Sequence, residues 1–193
     1  MKSINRGIVQ GSGLGPTLYS IMESDLTSLS KLNMLFKYAD DTNLLVPENS
    51  DVPLESEFEH IRQWTVANKM MLNLDKTKEI VFHKPNPRNF LAPSAIIGIE
   101  QVSEVKLLGV YFTSTLNFEA HVKFILGQCS QRVYLLKLLR DQGLPLDKKN
   151  LISQAVIVSR FICALPAGGG FATSDLIERI NAFFAKIKKI WPE

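Results

Sequence analysis

"FKYADDTNLLV", Phe36 to Val46, sets two adjacent aspartates in the middle of an apolar, strand-like run. Two carboxylates held close repel each other, and the repulsion is relieved when a cation lies between them. Adjacent aspartates also make an ordinary polar turn, because aspartate is common in tight turns. The flanks add weight to the first reading. "NMLFKY" and "TNLLVP" read as short strands on either side of Ala39, Asp40 and Asp41, which predicts an antiparallel hairpin with the aspartates at its turn. A hairpin tip projects side chains with fixed geometry. Oxygen-only ligands of this kind suit Mg²⁺, which leaves its other positions to water or substrate phosphates.

Upstream, "GIVQGSGLGPTLYSIMESDL" starts extended, turns through Gly11, Gly13 and Gly15, and enters a helix at Pro16, with Leu18, Ile21, Met22, Leu26 and Leu29 at helical spacing. This glycine segment is not a Walker loop, and G-x-G-x-x-G fails because Gly15 comes one position early. It is either a simple turn into a helix or a place where backbone approaches a ligand, with Gln10 supplying an adaptable amide. Glu23 and Asp25 follow it as capping or surface residues.

Downstream, Leu54, Phe58, Ile61 and Trp64 predict an amphipathic helix from Pro53 to Asn68. "KEIVFH" reads as a strand, "KPNPRNFLAP" as a connection, and "AIIGIEQVSEVKLLGVYF" as a hairpin of two strands. Gly109 within the second of these marks a bulge or close backbone contact. Phe118, Val122, Ile125, Cys129, Val133, Leu136 and Leu139 then describe one long helix, ended by Gly143 and Pro145. Further helices are predicted over Asp147–Ile162 and Ser174–Lys189, with "PAGGG" as the loop between them.

Composition excludes several classes. With 46% hydrophobic and 21% charged residues in 193, the chain can bury a core and is not a disordered one. Cys129 and Cys163 form neither a disulfide framework nor a zinc motif, so a reducing, intracellular setting is expected. His60, His83 and His121 lie far apart. No apolar run reaches membrane-span length, and the N-terminus lacks the apolar core of a secretory signal. Lys and Arg number 11 against 13 Asp and Glu over residues 1–117, but 11 against 6 over 118–193. A basic half suits anion gripping, and solvated helix faces explain it nearly as well.

Each motif alone is weak, but their order and spacing are specific. The chain resembles the reverse transcriptases of non-LTR, LINE-like retrotransposons. "RGIVQGSGLGPTLYSI" is similar to the family's nucleotide and template segment, "YADDT" to its catalytic hairpin, "LNLDKTKEIVF" to the following palm motif, and "VKLLGVYF" to its primer grip. "LNFEAHV" and the helix after it resemble the start of the thumb. The resemblance implies an α+β fold: a right-hand polymerase palm of antiparallel sheet with helices over residues 1–117, then an α-helical thumb and C-terminal extension over 118–193, with the fingers missing.

It also implies an RNA-directed DNA polymerase, extending a DNA primer on an RNA template with deoxynucleoside triphosphates. Asp40 and Asp41 would hold two Mg²⁺ ions, and Lys76 would act as general acid toward pyrophosphate, with Lys78 an equal alternative by reach. Gln10, Gly11 and Ser12 would touch nucleotide or template, and Tyr38, Leu108 and Gly109 the primer. Lys123, Arg132, Lys137 and Arg140 would contact nucleic-acid backbone. Family members carry a further metal-binding aspartate upstream of the glycine segment, whereas the nine residues before Gln10 contain no acid. The isolated chain is therefore expected to be inactive, with exposed apolar surface around residues 8–22. The alternatives are a non-catalytic nucleic-acid-binding module or a non-functional retrotransposon remnant. Nuclear localisation is expected if the element is eukaryotic.

Overall fold

The computed structural model describes residues 11–86, 88 and 90–190. The chain is α+β and divides into two compact units, Met1–Asn73 and Leu74–Glu193.

In the first unit, Pro16 opens helix α1, Gly15–Met22, where its missing amide costs nothing. The helix stops short of Leu26 and Leu29, although the apolar spacing continues. The Ser24 hydroxyl donates to the Ile21 carbonyl at 2.7 Å, and the Lys37 ammonium donates to the carbonyls of Glu23 and Leu26. Side chains thus occupy the acceptors that another helical turn would need. Leu14, Leu18, Ile21 and Met22 are exposed, as expected for the described part of residues 8–22. Strands β1, Met34–Tyr38, and β2, Asp41–Leu45, pair antiparallel from Met34–Leu45 to Tyr38–Asp41. Ala39 and Asp40 alone make the turn, with Ala39 in the left-handed region at φ 50°. Helix α2, Leu54–Ala67, buries Glu57, Ile61 and Thr65 along one face.

The second unit starts with β3, Lys78–Glu79, and β4, Glu100–Gln101, which pair in parallel for two residues. The strand predicted over "KEIVFH" shrinks to Lys78–Glu79, and the buried Glu79 carboxylate accepts from the Ile96 amide and the Gln101 side chain. Strands β5, Glu104–Leu107, and β6, Val110–Thr113, form a hairpin around Leu108 and Gly109. Both turn residues have positive φ, 46° and 87°, the pattern of a two-residue turn that matches strand twist. Gly109 is therefore a turn residue and neither a bulge nor a close backbone contact: a Cβ built there meets nothing within 4 Å.

Helix α3, Glu119–Asp141, ends as predicted. The Gly143 amide donates to Arg140 and the Leu144 amide to Leu139, with Gly143 at φ 86°, which is a Schellman termination. Helix α4, Leu146–Ser153, runs through a π-helical turn, Gln154–Val158, into α5, Ser159–Gly168, and a short 3₁₀ turn, Gly169–Phe171. "PAGGG" is thus helical rather than a loop. The reason is packing: a Cβ on Gly168 would come within 2.1 Å of the buried Phe118 ring, so glycine lets the helix end close over it. Helix α6 spans Ser174–Ile190.

Ile125, Cys129, Val133 and Leu136 of α3 meet Ile157 of the π turn in the main core, flanked by Phe161, Phe183 and Phe184. Phe118, Val122 and Leu176 make a second cluster against Val110 and Phe112. The described strands form three two-stranded sheets, two antiparallel and one parallel. No helix among the described residues is long and apolar enough to cross a membrane.

Candidate functional site

The hairpin built from "FKYADDTNLLV" carries the site. Asp40 occupies the turn and Asp41 opens β2 opposite Tyr38, and all three side chains are exposed. Among the described residues neither carboxylate is hydrogen-bonded or ion-paired, so both have lone pairs available to a hard cation. No group of three or more histidines, cysteines or acids is close enough to hold a metal by itself among the described residues. Oxygen donors fit Mg²⁺, but the pair is an incomplete ligand set.

Helix α1 precedes the hairpin in the same unit. Tyr19 and Glu23 are one helical turn apart and share a face. The Tyr19 phenol is pushed well above its ordinary range, first by burial, then by its hydrogen bond to the Glu23 carboxylate and by the charges of Glu23 and Asp40. The charge of Asp40 thus reaches Tyr19 on α1. Glu23 is buried rather than a surface residue, and Asp25 accepts from the Trp64 indole at 3.0 Å. Lys37 on β1 donates to the carbonyl of Glu23, the C-cap of α1, and to that of Leu26 beyond it, and so ties the hairpin to the segment that leaves the helix.

A second support lies at the root of β1. The Glu57 carboxylate, fully buried on α2, accepts from the Leu29 and Ser30 amides at 3.0 and 2.9 Å and from the Asn33 side chain at 2.8 Å. Burial alone would raise its pKa. The hydrogen bonds from Asn33, Leu29 and Ser30, helped by His60, outweigh burial and hold it below the usual carboxylate value. Ser30 in turn donates to Asp51, and Ser50 to Asn33. Sequence reading passed over Glu57. Its signal was an acid one turn after Leu54 and one turn before Ile61, on the face meant to be apolar.

The remaining expected residues fall as follows. Gly11 is exposed at φ 84°, which only glycine adopts at little cost. The Ser12 hydroxyl accepts from the Leu14 amide at 3.2 Å, so it also starts α1. Gln10 lies outside the described residues. Lys76 is exposed and belongs to the second unit, and Lys78 is ion-paired to Glu100 across β3 and β4. Leu108 is exposed at the β5–β6 turn. Of the basic residues of α3, Lys123 and Arg132 lie about half a turn of the wheel apart at ~100° per residue, so the four do not form one stripe. Lys123 is exposed, Arg132 donates to the Val156 carbonyl in the π turn, Lys137 is half-buried, and Arg140 pairs with Asp141.

A strand-turn-strand bearing Tyr38, Asp40 and Asp41, preceded by a glycine turn into α1, is the arrangement the motifs anticipated. The chain belongs to the reverse transcriptase (RNA-dependent DNA polymerase) family, whose model matches residues 2–112. Its relatives bear out the resemblance to non-LTR, LINE-like elements. It is 30% identical over 149 residues to the probable RNA-directed DNA polymerase from transposon BS of Drosophila melanogaster, covering 70% of this chain and 16% of that protein. It is 28% identical over 203 residues to the RNA-directed DNA polymerase from mobile element jockey of Drosophila funebris, covering 97% of this chain and 22% of that protein. The chain thus spans less than a quarter of the length of these curated relatives. No solved structure matches it.

Proposed function

We propose that the chain is part of an RNA-directed DNA polymerase that extends a DNA primer on an RNA template. Exposed, unpaired carboxylates at a hairpin tip, in a chain of this family, carry that reading. Asp40 and Asp41 would hold two Mg²⁺ ions together with a carboxylate from outside the described cluster, and the bound ions would supply Lewis-acid stabilisation of phosphoryl charge. Attack of the primer 3′-hydroxyl on the α-phosphorus, its proton passing to water, would form one P–O bond and break the P–O bond to the β-phosphate, releasing pyrophosphate, to which Lys76 would give a proton. Tyr38, Leu108 and Gly109 would lie along the primer, with Gln10, Gly11 and Ser12 at the nucleotide or template. Residues 1–117 act as palm and 118–193 as thumb, where Lys123, Lys137, Arg140 and the remaining donors of Arg132 contact phosphates.

Because Asp40 and Asp41 are only part of a ligand set, the 193-residue chain alone should bind primer–template without incorporating nucleotide. Robust extension by it, abolished by Asp40→Ala, would overturn that expectation. The catalytic reading is tested in a chimera in which this chain replaces the matching segment of the jockey polymerase. Extension on an RNA template should survive the exchange and be lost with Asp40→Asn. Extension that is indifferent to Asp40→Asn removes the proposed role, and a chimera that binds without extending favours a binding module.

A further inference from the structure

The second unit holds a groove of which the proposed polymerase reading uses only Lys137. Ser130, Val133, Tyr134 and Lys137 recur at the i, i+3, i+4, i+7 spacing of one α3 face, and Phe183 and Lys186 of α6 face them across a cavity of about 130 Å³. Val133 and Phe183 form its floor, because both belong to the main core. Its rim differs in character. Tyr134 is 62% exposed, an aromatic side chain that the fold leaves open, and it lines the groove together with one lysine from each helix, Lys137 and Lys186. Among the described residues no carboxylate lines the groove. Lys189, one turn beyond Lys186, extends the positive edge along α6.

We propose that this α3–α6 groove is a single-strand nucleic-acid site that takes one unpaired base against Tyr134, with Lys137 and Lys186 on the neighbouring phosphates. The chemistry is that of a stacking platform in a positive groove: every base has a π-face, so one exposed ring with flanking cations binds strand without reading sequence. The exposed ring selects the occupant: an unpaired base has a free face to lay on Tyr134, whereas the bases of a duplex are stacked on one another. The site therefore differs from a phosphate-only grip on duplex, and it needs neither Asp40 nor a metal ion.

The test uses the 193-residue chain and fluorescence anisotropy with a short labelled single strand, the same strand carrying abasic positions, and a duplex of equal length. Tyr134→Ala should weaken single-strand binding about 5- to 100-fold, the value of one base–aromatic stack, and leave duplex binding unchanged. Tyr134→Phe should restore it. Abasic substitution should produce the same loss and cancel the effect of Tyr134→Ala. Lys137→Gln and Lys186→Gln should each reduce the single-strand salt slope by about 0.7. Equal weakening of duplex binding by Tyr134→Ala, no weakening at all, or equal competition by polyglutamate of matched charge would each overturn the proposal. Strand binding here and primer extension in the chimera are separate readouts, so either reading can fail alone.

Discussion

Glu57 sets a quantitative test of how the hairpin is held. Replacing it with alanine leaves the Leu29 and Ser30 amides and the Asn33 side chain without their acceptor in a buried place. Hydrogen bonds to a charged group are worth about 1.5–3 kcal/mol each, and partial relaxation of the loop recovers some of the loss. Breaking a buried charged contact by deleting one partner costs about 3–5 kcal/mol, and we expect Glu57→Ala to fall there. At roughly 0.05–0.15 kcal/mol per residue, a unit this size has only about 4–11 kcal/mol in all, so the loop leading into β1 should lose most of its stability.

Urea unfolding followed by Trp64 fluorescence measures this, in a Trp191→Phe background so that the signal comes from α2 alone. Glu59→Ala is the control, because the Glu59 side chain is half-exposed and its pair with Arg62 is a surface one. The pH dependence has a definite sign. The Glu57 carboxyl is held below its ordinary value of 4.5, so its stabilisation is complete above that pH and is lost as pH falls through the lower folded value. Glu57→Gln should remove that acid-sensitive component. A Glu57→Ala midpoint within about 1 kcal/mol of wild type would refute the reasoning, since it would mean the three donors find water at no cost.

Two further outcomes concern the second unit. His121 is buried, its Nδ1 accepts from the Tyr111 amide at 3.3 Å, its Nε2 has no partner among the described residues, and burial lowers its pKa. The stability of the second unit should therefore be full above the ordinary histidine value of 6.5 and fall below it, and thermal melts of His121→Gln should lack that slope between pH 7.5 and 5. Gly168→Ala should cost about 1–3 kcal/mol by driving a methyl group into the Phe118 ring, and Phe118→Leu should recover part of the loss in the double variant.

Local chemistry determined much of this protein from sequence alone. "NMLFKY" and "TNLLVP" have too few residues between them for anything but a hairpin, so Asp40 was bound to reach its tip. The spacing from Phe118 to Leu139 fixed α3, and Gly143 fixed its end, because a left-handed residue there satisfies the last carbonyls. The glycine turn, "YADDT" and their separation identified the family because their combination is rare even though each part is common.

What depended on distant partners was not legible. Past Met22 the chain leaves the helix, and Lys37, fourteen positions beyond the C-cap residue Glu23, holds the carbonyls of Glu23 and Leu26. "PAGGG" is helical because Gly168 must close on Phe118, a ring fifty residues earlier. Glu57 looks like one more helix acid until tertiary folding brings Leu29, Ser30 and Asn33 to it, and the Tyr134 groove exists only once α6 lies beside α3. Periodicity and turn chemistry act within a few residues. Which acceptors are already taken, and which face stays open, is decided where chain segments far apart in sequence meet.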